Sequence, residues 1–130
     1  MSEINAKIID QKIISTHITI SREIKNSIDL KLGCQAKLKT PRDIENKSVL
    51  LNIKLILATP TDDLKAELIA DIIFELDYVP DDYNIIAEQK LIPLARTSLF
   101  ETLDEILVAM GYKKMRLADK ISQYIDFHSN

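Results

Sequence analysis

The chain has 130 residues, 46% of them hydrophobic, which is enough apolar material for one well-packed domain over residues 1–130. Its net charge of -3 disfavours a nucleic-acid partner, because surfaces that bind DNA or RNA are usually basic. The N-terminus lacks the pattern of a secretory signal, and the apolar runs are too short to span a bilayer. We therefore expect a soluble, cytoplasmic protein with no integral membrane segment.

Four segments alternate apolar and polar residues, the pattern of strands with one buried face. In the second segment, Leu32 and Leu38 fall on one side and Lys31 and Lys37 on the other. The start of the fourth segment has a helix-like composition, so an amphipathic helix is the alternative there. Short polar connections favour chain reversals at residues 23–26, 41–46 and 60–63. The sequence predicts an antiparallel meander with strands at residues 12–21, 27–39, 48–59 and 64–76.

Charge is unevenly distributed along these strands. Residues 7–54 contain ten Lys or Arg and five acids, whereas residues 62–82 contain eight acids and one base, Lys65. The simplest interpretation is that basic and acidic strand faces complement each other across the sheet. An acidic strip that binds a partner is the alternative.

The hydrophobic period lengthens to three or four residues between Ile85 and Met110, which predicts one long helix. Pro93 predicts a kink or a new start near it, because proline lacks a backbone donor and clashes with the preceding turn. Gly111 predicts the end of the helix. A second short helix is predicted at residues 117–127. The core-facing stripe of the long helix is expected to contain Ile85, Ile92, Leu99, Leu103, Ile106 and Met110.

Few residues suggest catalytic chemistry. His17 and His128 are far apart and have no other metal ligands at suitable spacing, so we expect no metal site. Cys34 falls on an apolar strand face, where a thiol usually packs. With only two glycines, the chain has no glycine-rich phosphate loop. The sequence therefore predicts a protein that is not an enzyme and needs no cofactor.

More apolar residues are present than one sheet and one covering helix can bury. On the helix, Ile86, Leu91, Leu94 and Val108 fall outside the main stripe. The other face of the predicted sheet carries Ile13, Leu50, Ile56, Ile69 and Ile73. A monomer would leave much of this surface in water, so we expect self-association.

The segment Leu91-Ile92-Pro93-Leu94-Ala95-Arg96, followed by a helix, Gly111-Tyr112 and Leu117, resembles a pattern of the SecB protein-export chaperone family. That family has a Leu-Phe-Pro-Tyr-Ala-Arg helix start and a Gly-Thr-Phe...Leu-Asn-Leu continuation. The resemblance implies an α+β, SecB-like fold, in which a four-stranded antiparallel sheet is followed by a long kinked helix and a short C-terminal helix. It also implies a homotetramer, built as a dimer of dimers, that binds unfolded polypeptides in apolar grooves.

The resemblance implies unfolded preproteins and the SecA motor as partners, or an antitoxin as in SecB-like proteins of toxin-antitoxin systems. The client-binding groove is assigned to Phe74, Tyr78, Tyr83, Met110, Tyr112, Met115, Leu117, Ile121 and Tyr124. The oligomer interface is assigned to Ile92, Leu94, Leu99, Leu103 and Ile106. Motor docking is assigned to Glu67, Asp71 and Glu75. The alternative function is a non-chaperone oligomeric adaptor that binds one folded protein partner.

Overall fold

The structure is a computed structural model that describes residues 4–21, 29–39, 47–60 and 63–126, without the side chains of residues 122–126. The predicted reversals at residues 23–26 and 41–46 lie outside these ranges. The strands are β1 (Ala6–Ile20), β2 (Leu30–Lys39), β3 (Ser48–Ala58), β4 (Leu64–Leu76) and β5 (Ile121–Asp126). They form one sheet in the order β1-β4-β3-β2-β5. Across the described ranges, no helix is long and apolar enough to cross a membrane.

The strand pairing confirms a four-stranded antiparallel sheet but corrects the position of β1. The predicted meander holds for β2, β3 and β4, whereas β1 pairs with β4 instead of β2. The strand order keeps the lysines of β1 away from those of β2. The observed cross-strand neighbours are Lys7 with Glu75, Lys12 with Asp71, and His17 with Glu67. The predicted complementarity of basic and acidic strands therefore holds between β1 and β4, whereas the lysines of β2 lie across from no acid on β3.

β1 contains two bulges, because its 15 residues pair with the 13 residues of β4. The bulges fall at Ile9 and Ile14, whose side chains are 48% and 51% exposed. Each bulge shifts the alternation of side chains by one residue, so Ile8, Ile13 and Ile18 all lie opposite buried residues of β4. Uninterrupted alternation over residues 12–21 predicts Ile14 on the buried face with Ile18, and Ile13 on the other face. Both placements are wrong, because one uninterrupted period of two does not describe a bulged strand.

The helical region follows β4 in three pieces, which confirms the predicted long kinked helix. They are α1 (Tyr83–Ile86), a π-helical turn (Ala87–Leu91) and α2 (Ile92–Ala109). Asp82 caps the start, since its Oδ1 accepts a hydrogen bond from the amide of Asn84 at 2.9 Å. Pro93 lies in the first turn of α2, where its missing amide hydrogen costs little.

α2 ends at Ala109, and Gly111 stops the helix just beyond it, as predicted. Gly111 has a φ of 103°, in the left-handed region that glycine adopts without strain. Its amide donates to the carbonyl of Val108 at 3.0 Å, and the amide of Tyr112 donates to the carbonyl of Leu107 at 3.0 Å. These are the two hydrogen bonds of a Schellman motif, which satisfies the last carbonyls of the helix.

One hydrophobic core fills the space between the sheet and α2. Alternate residues of β3 and β4 are buried throughout both strands, so the helical alternative for residues 64–76 is wrong. The buried side chains of the helical region include Leu91, Ala95, Leu99, Phe100, Leu103 and Leu107. Ile85 and Met110, predicted for this stripe, are 48% and 49% exposed. The wider π turn rotates α1 relative to α2, and Met110 lies beyond the last helical turn.

The predicted C-terminal helix is a single 3-10 turn, Leu117–Lys120. The chain then continues as β5, which pairs in parallel with β2. Two isoleucines and a tyrosine among the six residues of β5 favour a strand, and the pairing satisfies backbone groups along the edge of β2. Residue 127, the last of the predicted helix, lies outside the described ranges.

Candidate functional site

The side chains of the described ranges provide little for catalysis. No three His, Cys, Asp or Glu residues are grouped there to hold a metal ion. Cys34 is half-buried on β2, and burial raises the pKa of its thiol, while the nearby Arg96 guanidinium favours the thiolate and opposes that rise. Cys34 is therefore a neutral packing residue at physiological pH and a poor nucleophile.

The chain exposes large apolar side chains where β4 passes into the helical region. Four of them fall in one short stretch: Tyr78, Val79, Ile85 and Leu94 are 49%, 40%, 48% and 41% exposed. We call these four residues the helix-start surface. Single exposed apolar residues are ordinary on soluble proteins, whereas four within 17 residues make this region a candidate interaction site.

Two anchors hold the linker that carries Tyr78 and Val79. Asp77 binds the start of β1, where the amide of Asn5 donates to the Asp77 carboxylate at 2.9 Å and the amide of Asp77 donates to the Asn5 carbonyl at 3.1 Å. Asp82 caps α1 at the other end. Pro80 is buried between them. The linker is therefore fixed at both ends, with two apolar side chains directed into solvent.

A groove of about 380 Å³ opens between the start of β1 and the beginning of α2. The apolar part of its lining is Ile4 and Ala6 on the β1 side and Pro93 and Leu94 on the helix side. The polar part is Asn5, Gln89, Lys90 and Thr97. Its volume is in the range of cavities that bind small molecules or side chains. Leu94 belongs to both the groove and the helix-start surface, so the two are continuous.

A second apolar area lies at the other end of α2. Val108 and Met110 are 48% and 49% exposed, and Tyr112 and Met115 are half-buried beside them in sequence. We call these four residues the helix-end surface. Next to it is a cavity of about 380 Å³ with mostly charged walls, formed by Glu101, Asp104, Glu105, Val108 and Lys114.

The structure separates the nine residues that the sequence assigned to one groove. Tyr78 and Tyr83 lie before α2, whereas Met110, Tyr112 and Met115 follow it. The 18 residues of α2 put about 27 Å between the two groups at 1.5 Å per residue. These five residues therefore do not line one groove, and their contact with a client stays a prediction.

The other four residues of that assignment differ in their placement. Phe74 and Leu117 are 0% and 1% exposed and belong to the core, Phe74 because it falls on the buried side of β4. Leu117 is held inward, since its amide donates to the buried Asp104 carboxylate at 3.2 Å. Ile121 is half-buried at the start of β5, and the side chain of Tyr124 lies outside the described residues.

The residues assigned to an oligomer interface also divide by burial. Leu99 and Leu103 are 0% and 1% exposed, because they form the core-facing stripe of α2. They are not available to a second chain, which corrects their assignment. Leu94 is exposed, and Ile92 and Ile106 are half-buried at the sides of the helix.

The acids assigned to motor docking lie on the face of the sheet turned away from α2, and two of them have a partner within the chain. Glu67 is 3.3 Å from the ammonium nitrogen of Lys54, and Asp71 accepts a hydrogen bond from the side chain of Asn52 at 2.8 Å. Glu75 is exposed across from Lys7. These three acids therefore do not form an uncompensated negative strip.

The sequence did not identify Val79 and Ile85 as surface residues. Ile85 could have been recognised from its position next to Ile86 in a helix that starts just after the Asp82 cap. Neighbouring residues of a short helix point in different directions, so both isoleucines cannot face the core. No single segment of the sequence predicts the groove beside Leu94, because its two walls come from distant parts of the chain.

No protein-family model matches the chain, and no curated protein matches its sequence. A solved structure of a SecB-like chaperone from Mycobacterium tuberculosis, in complex with a ChAD peptide from the HigA1 antitoxin, is similar to it with a TM-score of 0.66. The two chains are 13% identical, and the match covers 84% of this chain and 85% of that one. The predicted fold class is therefore confirmed: the chain has a SecB-like α+β fold.

Proposed function

We propose that the protein is a chaperone that binds apolar segments of unfolded polypeptides, either preproteins or an antitoxin, and keeps them from aggregating. The observation that carries this proposal is the helix-start surface, where four large apolar side chains remain exposed beside a groove with both apolar and polar walls. Clients expose apolar side chains at irregular spacing, so a broad apolar surface suits them better than a few fixed polar groups. In this proposal the chain needs no cofactor, has no enzymatic activity and works in the cytoplasm.

Client contact in this proposal involves both ends of α2. Tyr78 and Tyr83 act at the helix start, while Met110, Tyr112, Met115 and Ile121 act at the other end. An extended client rises about 3.3 Å per residue, so about eight residues are needed to span the length of α2. A longer segment can then occupy both surfaces at once, which raises its affinity through the high effective concentration of the second contact.

The antitoxin alternative has support from a protein of the same fold. The Mycobacterium tuberculosis SecB-like chaperone was solved with an antitoxin peptide bound, which is an example of peptide binding on this fold. Docking of SecA on Glu67, Asp71 and Glu75 has less support, because Glu67 pairs with a lysine, Asp71 binds an amide and Glu75 lies across the sheet from a lysine of the same chain. We therefore favour an antitoxin over transfer of preproteins to SecA.

Self-association is part of the proposal, with the dimer of dimers as the expected assembly. Leu94, Ile92 and Ile106 offer apolar contacts on α2. β1 offers another contact, because it is an outer strand of the sheet and exposes Ile9 and Ile14 at its bulges. Burial of each of these side chains in an interface stabilises the assembly, because apolar surface is removed from water.

Aggregation assays test the proposal. Several unrelated proteins are denatured and diluted with and without the purified chain, and light scattering records their aggregation. We expect suppression for most clients at near-stoichiometric amounts. The adaptor alternative predicts no suppression for any client but tight binding of one folded partner, and that result would contradict the chaperone proposal.

A further inference from the structure

The sheet face turned away from α2 has a defined distribution of charge. Its residues follow from the strand registers, since Leu32 of β2, Leu55 of β3 and Leu68 of β4 point to the core and their neighbours point away. Within the described residues, this face carries seven lysines and four acids. The lysines are Lys7, Lys12, Lys31, Lys37, Lys39, Lys54 and Lys65, and the acids are Asp10, Glu67, Asp71 and Glu75. A chain with a net charge of -3 therefore has one face with an excess of positive charge.

The excess of positive charge is confined to one half of the face. On β1 and β4, bases and acids lie directly across from each other, as in the pairs Lys7 with Glu75 and Lys12 with Asp71. On β2 and β3, the described residues of this face include no acid. Lys54 is the only lysine of these two strands with an ion pair among the described residues, through Glu67 of β4.

Three lysines lie on this face of β2, with Gly33 and Gln35 between the first and the second, and we call Lys31, Lys37 and Lys39 the lysine strip. Their neighbours across the sheet on β3 are Ala58, Asn52 and Leu50. Asn52 already donates to Asp71 at 2.8 Å, so it does not reduce the charge of the strip. No lysine of the strip has an ion pair within the part of the chain that the structure describes.

We propose that the lysine strip binds an acidic, extended polypeptide segment of a partner protein. Lys37 and Lys39 are about 6.6 Å apart along the strand, and acids at alternate positions of an extended segment repeat at the same spacing. Lys31 lies three such repeats from Lys37 and can meet an acid further along the same segment. Lys31 and Lys39 are about 26 Å apart along the strand, so about nine extended residues cover the strip. Half-buried Leu50 and Ile56 lie beside it on β3, so apolar residues next to the acids also find contacts.

The shape and composition of the face favour a polypeptide over the other anionic partners. No Phe, Tyr or Trp lies on the described part of this face to stack on nucleic-acid bases. The apolar residues Leu50, Ile56, Ile69 and Ile73 are half-buried within the sheet and do not project as membrane anchors would. This surface is separate from the helix-start and helix-end surfaces, so the inference does not depend on the proposed chaperone function.

The test uses the full chain and a labelled ten-residue peptide in which Glu and Val alternate. Fluorescence anisotropy measures its dissociation constant for the wild type and for the Lys37→Glu/Lys39→Glu variant. The matched control is Lys113→Glu/Lys114→Glu, which makes the same charge change at exposed positions after α2. Lys37→Gln/Lys39→Gln is the milder variant if charge reversal disturbs folding, which circular dichroism reports.

We expect the acidic peptide to bind the wild type and the control alike, and to bind the β2 variant about tenfold more weakly. Binding should also weaken as salt is added. The proposal is overturned if the peptide does not bind at low salt or if both charge reversals weaken it equally. Tighter binding of a DNA duplex or of phosphatidylserine vesicles than of the peptide also overturns it. Aggregation suppression by the same variants reports separately on the chaperone proposal.

Discussion

Asp104 is a buried acid of α2 that fixes the segment after the helix. It is 8% exposed, and its carboxylate accepts a hydrogen bond from the amide of Leu117 at 3.2 Å. That hydrogen bond holds Leu117 in the core and sets the direction in which the chain enters β5. The sequence pattern did not single out this residue, because an acid in a helix is far more often exposed.

Replacing Asp104 tests this role. Asp104→Leu leaves the buried Leu117 amide without its acceptor, so the free energy of unfolding should fall by about 1–3 kcal/mol. Asp104→Asn keeps an acceptor oxygen, so its free energy of unfolding should fall less. Urea denaturation measures both variants, with Glu105→Leu as the exposed neighbouring control. Equal stability of Asp104→Leu and wild type would show that this hydrogen bond does not hold the segment.

The alkylation rate of Cys34 depends on pH and reports how far its thiol is buried in the sheet. Since burial raises the pKa of its thiol, the folded chain should be alkylated more slowly at pH 8 than the chain unfolded in urea. Arg96→Gln removes a cation that favours the thiolate, so it should raise the pKa further and slow alkylation again. The folded chain binds the thiol proton more tightly than the unfolded chain. The stability that this proton contributes is therefore lost as the pH rises through the pKa of the folded state. Alkylation rates equal to those of the unfolded chain would contradict the burial of Cys34.

The end of α2 is an element whose stability depends on one backbone conformation. Gly111 has a φ of 103°, and a side chain added there would contact nothing within 4 Å. Gly111→Ala should therefore cost only the conformational strain, about 1 kcal/mol of unfolding free energy. Gly111→Asn should cost less, because asparagine tolerates the left-handed region better than alanine. Thermal denaturation measures both, and an unchanged melting temperature for Gly111→Ala would contradict the Schellman motif.

The sequence predicts an element well where one period runs without interruption. β3 and β4 match their predicted segments closely, because period-two alternation continues through both strands. β1 was misplaced, since its bulges at Ile9 and Ile14 break the alternation and are visible only against β4. β5 was predicted as a helix because the spacing of Leu117 and Ile121 fits one, while the strand depends on its distant partner β2.

The candidate site was predictable by residue type more than by location. Tyr78 was assigned to the client-binding groove and Met110 to both that groove and the core-facing stripe, and both are about half exposed. Phe74 has the same apolar character but points into the core, since its position in the β4 alternation decides its direction. Composition identifies side chains that can bind an apolar client, whereas the register of each element decides which of them reach the surface.

At the scale of the whole molecule, exposed apolar side chains lie on more than one element of the fold. Ile9 and Ile14 are exposed on the outer strand β1, and Leu94 is exposed on α2. We therefore expect light scattering to report a dimer or a tetramer at micromolar concentration. Replacing Ile9 and Ile14 with Lys should shift the assembly toward smaller species, because a charge is costly to bury in an interface. A wild-type chain that remains a monomer would contradict the proposed self-association.

The central claim is that unfolded polypeptide binds at the helix-start surface. It is tested most directly by the affinity of a labelled, permanently unfolded polypeptide for the wild type and for Tyr78→Ser/Ile85→Ser. Asn84→Ser/Glu88→Ser is the matched control, since both residues are exposed and polar in the same stretch. We predict that the control binds like the wild type and that Tyr78→Ser/Ile85→Ser binds about tenfold more weakly, with unchanged circular dichroism. Equal affinity of all three proteins would contradict the claim.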